Sequence, residues 1–183
     1  MRLTIALLAT LALAVPVSAQ DDTEAYVWPT PQISDDVSAL PAPVRATRQA
    51  LINAARTGDI AALGPIIEAQ EFPPNVSFGE VDDTLDYLKF ASEDDDGRQI
   101  LGLLIDLLDQ PYAFYPDSGG ETSYIWPYLS EIDPNALTPD QQVDAYRLLN
   151  TEQIEELKEF GAWYYWRVYI SETGEWTVFV AGD

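Results

Sequence analysis

Apolar residues first dominate this chain in an uncharged run from Leu3 to Val15, interrupted only by Thr4 and Thr10, and from Pro43 onward they fall in periodic patterns. The run follows one basic residue, Arg2, and leads into Val17-Ser18-Ala19, with small residues at the positions a signal peptidase reads. It falls short of the roughly 20 residues that span a bilayer, so a cleavable signal peptide is expected over residues 1–19, with the cut before Gln20. Residues 20–42 mix proline, acidic and small residues with neither helical nor strand periodicity. They read as an extended leader or tether, with Tyr26, Val27 and Trp28 docking on a single globular domain over residues 43–183.

Within that domain the helical spacing of Val44, Thr47, Leu51 and Ala55 predicts a helix from Pro43. Gly58 and Asp59 should end it and cap the next, whose apolar face is Ile60, Leu63, Ile66 and Ile67. After Pro73-Pro74-Asn75, Val76 to Glu80 reads as a loop or short strand, and Asp82-Asp83 can cap a brief helix carrying Leu85 and Leu88. Gly97 to Asp109 holds Ile100, Leu101, Leu103, Leu104, Leu107 and Leu108, the pattern of a central core helix. Thr138-Pro139-Asp140-Gln141 is a capping signal for a helix to Leu149, and Thr151 is expected to cap another that ends at Gly161.

Strand patterns occupy Tyr112–Tyr115, Ser123–Leu129, Trp163–Ile170 and Glu175–Val180. Pro127 assigns the second of these to an edge or a bulged position, because proline cannot donate to a ladder. Pairing Ser171 with Glu175 around Gly174 sets Ile170 against Trp176, Val168 against Val178 and Trp166 against Val180, six apolar side chains on one face. The other face then carries Trp163, Tyr165, Arg167 and Tyr169 opposite Asp183, Ala181, Phe179 and Thr177. The expected fold is α+β: a small antiparallel sheet of about four strands, helices packed on one face and a C-terminal β-hairpin.

Composition narrows the chemistry. The chain has 183 residues with 31 acidic and nine basic side chains, a net charge of −22, and neither histidine nor cysteine. Such a surface repels nucleic acid and anionic lipid and favours cations or basic partners. Ser-His-Asp triads, Cys-His nucleophiles, His or Cys zinc sites, disulfides and a lipid-bearing cysteine are all excluded. No cofactor motif and no metal site are called for.

Ser92-Glu93-Asp94-Asp95-Asp96-Gly97 invites a calcium reading, but aligning Gly97 with the loop glycine puts Ser92 and Leu103 where two key ligands belong. An acidic helix start uses every residue of the run and is the better reading. Lys89 and Ser92 stand in the reverse of the order used by Ser-Lys enzymes. Carboxylate pairs for glycoside hydrolysis are too easily supplied by 31 acidic residues to single one out. Aromatic strand residues remain as candidates. Arg167 between Tyr165 and Tyr169, together with Trp126 on the Tyr124-Trp126-Tyr128 strand, makes the candidate ligand-binding set, suited to a sugar, a peptide or an anion.

The stretches Pro74-x-Val76-Ser77-Phe78-Gly79, Tyr124-Ile125-Trp126-Pro127-Tyr128 and Gly174-x-Trp176-x-x-Phe179-Val180-Ala181-Gly182-Asp183 resemble a group of uncharacterised exported proteins of alphaproteobacteria. That resemblance implies export and no particular activity. More remotely, Ala50 to Leu63 followed by a Gly-x-Trp strand is similar to the helix pair and closing strands of the NTF2-like cone, which implies a central pocket. The function expected is that of a periplasmic, non-enzymatic binding or accessory module, with an envelope protein or glycan as partner and no membrane insertion after signal cleavage. A carboxylate-based hydrolase of glycan or peptidoglycan is the alternative.

Overall fold

A computed structural model describes residues 30–116 and 121–182. The signal segment, Tyr26, Val27 and Trp28 of the leader, most of the Pro116–Gly120 turn and Asp183 lie outside the described residues. The fold is α+β. Five strands, β1 (Gln32–Ser34), β2 (Tyr112–Phe114), β3 (Ser123–Trp126), β4 (Arg167–Ser171) and β5 (Trp176–Val180), form one antiparallel sheet in chain order. Helices α1 (Ala42–Ala55), α2 (Gly64–Glu68), α3 (Thr84–Ala91) and α4 (Arg98–Leu108) come between β1 and β2, while α5 (Pro139–Leu148) and α6 (Thr151–Phe160) come between β3 and β4. No described helix is long and apolar enough to cross a membrane.

The helix starts obey local chemistry. Asp59 and Asp83 accept the Ala61 and Asp86 N–H groups, and Gln141 Oε1 accepts the Thr138 N–H at 2.9 Å. Asn150, one residue before the expected Thr151, caps α6 by accepting the Gln153 N–H, and Gln153 Oε1 reciprocates on the Asn150 N–H. A carboxamide oxygen and the Gln153 partner three residues on make the reciprocal box that Thr151 cannot. At α4 the central carboxylate of the acidic run is spent on the helix start. Asp94 accepts the Gln99 N–H at 2.9 Å, the Arg98 N–H at 3.1 Å and the Ser92 hydroxyl. Gly97 stands at the helix entrance with φ 79°.

One face of the sheet meets α1 and α4. Trp126, Val168, Ile170, Trp176 and Phe179 are nearly inaccessible there, packed with Val44, Leu51, Ile100, Leu104 and Leu108. The pocket that the cone resemblance implies would need this face, and aromatic and aliphatic side chains fill it. Arg48 fastens the two helices: Nε and Nη2 donate to the Leu108 carbonyl, and Nη2 also reaches Asp109 at 3.1 Å. A cation at a helix C-terminus satisfies carbonyls that lack an intrahelical partner. The opposite face carries a row through all five strands, Ile33, Ala113, Ile125, Tyr169 and Val178. A second cluster packs Tyr128, Leu129, Ala145, Ile154, Leu157 and Trp163 with Ala113 from that row, so α5 and α6 reach the face away from α1.

Four local readings change. The end of the 20–42 stretch enters the fold, because β1 pairs with β2 and Leu40 is buried. Pro127 occupies neither an edge strand nor a bulge: it lies just past the end of β3, the middle strand, where a missing N–H costs no ladder bond. β4 begins at Arg167, so Trp163 to Trp166 lose strand alternation. The hairpin keeps Ile170 against Trp176, but Thr177 bulges, so Tyr169 faces Val178, Val168 faces Phe179 and Arg167 faces Val180. The bulge lets Trp176 and Phe179, three residues apart, both point into the core. Each such burial stabilises by about 1.5–3 kcal/mol.

Candidate functional site

The later start of β4, at Arg167 and not Trp163, redistributes the aromatic candidates. With residues 163–166 outside β4, Tyr165 is no longer held in strand alternation with Arg167; it packs against the second cluster and, with Trp163 and Trp166, lines a cleft toward α4, α5 and α6. There a cleft of about 210 Å³ is lined by Trp163, Tyr165 and Trp166, by Leu103, Leu107, Leu148 and Leu149, and by Glu93, Gln99 and Gln153. The Trp163 and Tyr165 rings stand nearly perpendicular, 75° apart with centroids at 6.1 Å, which makes two walls of a corner. Trp163 is anchored by its Nε1, which donates to the Trp166 carbonyl at 3.2 Å.

The carboxamide oxygens of the cleft are taken up by main-chain N–H groups. Gln99 Oε1 accepts the Glu93 N–H and Gln153 Oε1 the Asn150 N–H, which leaves each Nε2 without a hydrogen-bond partner among the described residues. The Glu93 carboxylate is exposed and likewise makes no hydrogen bond or ion pair with a described residue. The Tyr165 hydroxyl lies 3.1 Å from Glu156 and 3.3 Å from the Tyr164 hydroxyl. Burial, then these two neighbours, push its pKa upward, so it stays a neutral donor. The arrangement can stack a flat or ring-shaped group on aromatic walls, donate from two carboxamides and accept at one carboxylate.

Arg167 and Tyr169 lie on the sheet face away from α1, and Trp126 lies on the other. Arg167 Nη1 donates to the Gly182 carbonyl at 2.9 Å, and the guanidinium sits 5.9 Å from the Phe78 ring centroid. No described carboxylate forms an ion pair with it. Tyr169 donates to Glu131 at 3.2 Å, and the Tyr115 hydroxyl donates to the same carboxylate at 3.0 Å. Burial, followed by the Glu131 charge, raises the Tyr169 pKa. Trp126 leaves the candidate set: it is 1% exposed, opposite Val168 and 5.5 Å from the Tyr112 ring, so no ligand reaches it. The geometry therefore keeps Tyr165 in the cleft and adds Trp163, Trp166, Glu93, Gln99 and Gln153. The glutamines carried no sequence signal as cleft donors, since they converge from the starts of two helices far apart in the chain.

No family model matches the chain, and no curated protein or solved structure matches it either.

Proposed function

We propose that this chain is an exported, non-enzymatic binding module of the cell envelope, and that it holds a ring of an envelope glycan in the cleft between α4, α5, α6 and the 163–166 segment. The observation that carries this reading is the convergence of three aromatic rings, two carboxamide donors and one carboxylate on a single cleft. Sugar rings present an apolar C–H face to an aromatic wall and hydroxyls to polar groups, and this lining offers both. A volume of about 210 Å³ is below the roughly 300–1,000 Å³ of ordinary small-molecule sites, which suits one ring of a polymer and not a long stretch of it.

A carboxylate hydrolase is less well supported. It needs two carboxyl groups roughly 5 to 9.5 Å apart across the scissile bond. Among the described residues lining the cleft, Glu93 alone is acidic. Export rests on Arg2, the apolar run and Val17-Ser18-Ala19, as does the periplasmic setting. The chain's acidity keeps nucleic acid out of the reading.

Co-sedimentation with insoluble envelope glycan tests the module. The chain should pellet with the glycan, and Tyr165→Ala should lower retention several-fold while remaining folded by circular dichroism. Equal retention of a folded Tyr165→Ala protein would remove the cleft from the reading. Export is checked by amino-terminal sequencing of periplasmic protein, which should begin at Gln20; intact Met1 in the membrane fraction would overturn it.

A further inference from the structure

We infer that the ring held by this cleft carries a positive charge, so that the preferred ligand is an amino sugar with a free amine and not its neutral or N-acetylated counterpart. The inference rests on the glycan-binding reading above and specifies its ligand. Its ground is the unbalanced electrostatics of the cleft. The Glu93 carboxylate lines it with no partner among the described residues. Of the basic side chains, Arg98 is engaged by Asp96, Arg147 by Asp144 and Lys158 by Glu155, while Lys89, four residues before Glu93, forms no ion pair with a described residue. Arg167, next to Trp166 in sequence, is engaged by main-chain carbonyls, those of Gly182 at 2.9 Å and Trp163 at 3.5 Å.

Three further features act in the same direction, and a fourth favours a sugar over a bare cation. The faces of Trp and Tyr rings carry negative quadrupole density that attracts an ammonium group, and Trp163, Tyr165 and Trp166 line the cleft, Trp163 largely buried and Tyr165 with one face stacked on Tyr164. Glu156, bonded to the Tyr165 hydroxyl at 3.1 Å, adds negative charge beside the aromatic wall. The chain as a whole carries −22, and a cleft with apolar walls concentrates such a potential. The free Nε2 groups of Gln99 and Gln153 suit hydroxyl or ring oxygens of the same ligand, which a simple ammonium ion would leave unused.

Three monosaccharides of one ring geometry, glucosamine, glucose and N-acetylglucosamine, serve as probes in a tryptophan-fluorescence titration near neutral pH. Glucosamine should bind about tenfold more tightly than either neutral sugar, the equivalent of one charge-assisted contact. Glu93→Gln should bring the three to within about twofold, and added salt should narrow the difference in the unmodified protein. Glu93→Gln is chosen because Asp94 caps α4 and the Glu93 contact to Gln99 is made by its main chain, so a thermal melt should be unchanged. Equal binding of all three sugars, or preference for a neutral one, would overturn the charge inference and leave the glycan-binding cleft standing. Failure of all three to bind would overturn it as well; retention on insoluble glycan that still depended on Tyr165 would then show that the cleft reading survives alone.

Discussion

Two glycines show how a single absent side chain shapes this molecule. Gly97 has φ 79°, and a Cβ there would come within 2.8 Å of Ile60 Cδ1, the free end of a flexible side chain. Gly174 has φ 95°, and a Cβ would press on Pro43 Cβ at 2.8 Å and on its main-chain carbon and oxygen at 3.0 and 3.1 Å. Left-handed backbone costs an L-residue about 1–2 kcal/mol, so Gly97→Ala should lose about that much once Ile60 shifts. Gly174→Ala should lose about 3 kcal/mol or more, because the start of α1 cannot give way. Urea melts that rank the two variants in reverse would refute this account. Asp94 makes a pH-dependent prediction. Its carboxyl is held down at about 2, first by the Ser92 hydroxyl and then by the Gln99 N–H, below an ordinary value of 3.8. Its contribution is therefore complete above about pH 4 and disappears as pH falls through about 2. Asp94→Asn should be less stable than wild type at pH 7, and the two melting curves should converge near pH 2. A constant gap across that range would mean that the charge of Asp94 does not hold the start of α4.

The edges of the sheet are managed at the level of elements. β5 is an outer strand, yet its main chain is occupied: the Asn75 N–H donates to the Thr177 carbonyl and the Phe179 N–H to the Asn75 carbonyl, both at 2.8 Å. Gln70 does the same with a side chain, its Oε1 accepting the Trp176 N–H and its Nε2 donating to the Trp176 carbonyl at 3.2 Å. Leaving such partly buried groups unpaired costs about 1–3 kcal/mol, so Gln70→Ala should destabilise by that order in a denaturant melt. Gln70→Glu should recover little, since a carboxylate cannot donate to the carbonyl; a Glu variant as stable as wild type would rule out the paired amide. These contacts explain which elements are legible in the chain. Capping residues act within a few positions, so Asp59, Asp83 and Gln141 were readable in place. The bulge at Thr177 depends on a segment about a hundred residues away, which no local pattern carries.

Across the whole molecule, two cores meet at the sheet: Trp126 is sealed in the one under α1, while Tyr165 packs against the other, on the face that carries Arg167 and Tyr169. Arg167 serves the far side, joining the C-terminal Gly182 carbonyl to the start of β4, with the Trp163 carbonyl at 3.5 Å and Phe78 beneath. It is paired with carbonyls and with no described carboxylate, so its removal strands no described buried charge. Arg167→Ala should therefore cost about 1–2 kcal/mol, the worth of hydrogen bonds from a charged donor, and leave glycan retention close to wild type. A loss of 3 to 5 kcal/mol would instead reveal a buried ion pair. Loss of retention by a stable variant would move the binding surface to the far face.

What the chain determined by itself was its local grammar: the α+β class, five of six helices near their ends, the caps at Asp59, Asp83 and Thr138, the leucine-rich core helix and the pairing of Ile170 with Trp176. These rest on periodicity, hydrogen-bonding side chains and turn glycines, whose effects extend over a few residues. Tertiary structure alone decided that β1 joins the sheet, that Trp126 is sealed in the core, and that Tyr165 lies outside β4, in the wall of a cleft. It also decided that Glu93, Gln99 and Gln153 meet three aromatic rings. Each of these depends on which distant surface a side chain is packed against. An alternation of two-residue period looks the same whether the strand begins at Trp163 or at Arg167; the packing of α5 and α6 onto Trp163 ends the alternation, and that same packing makes the cleft.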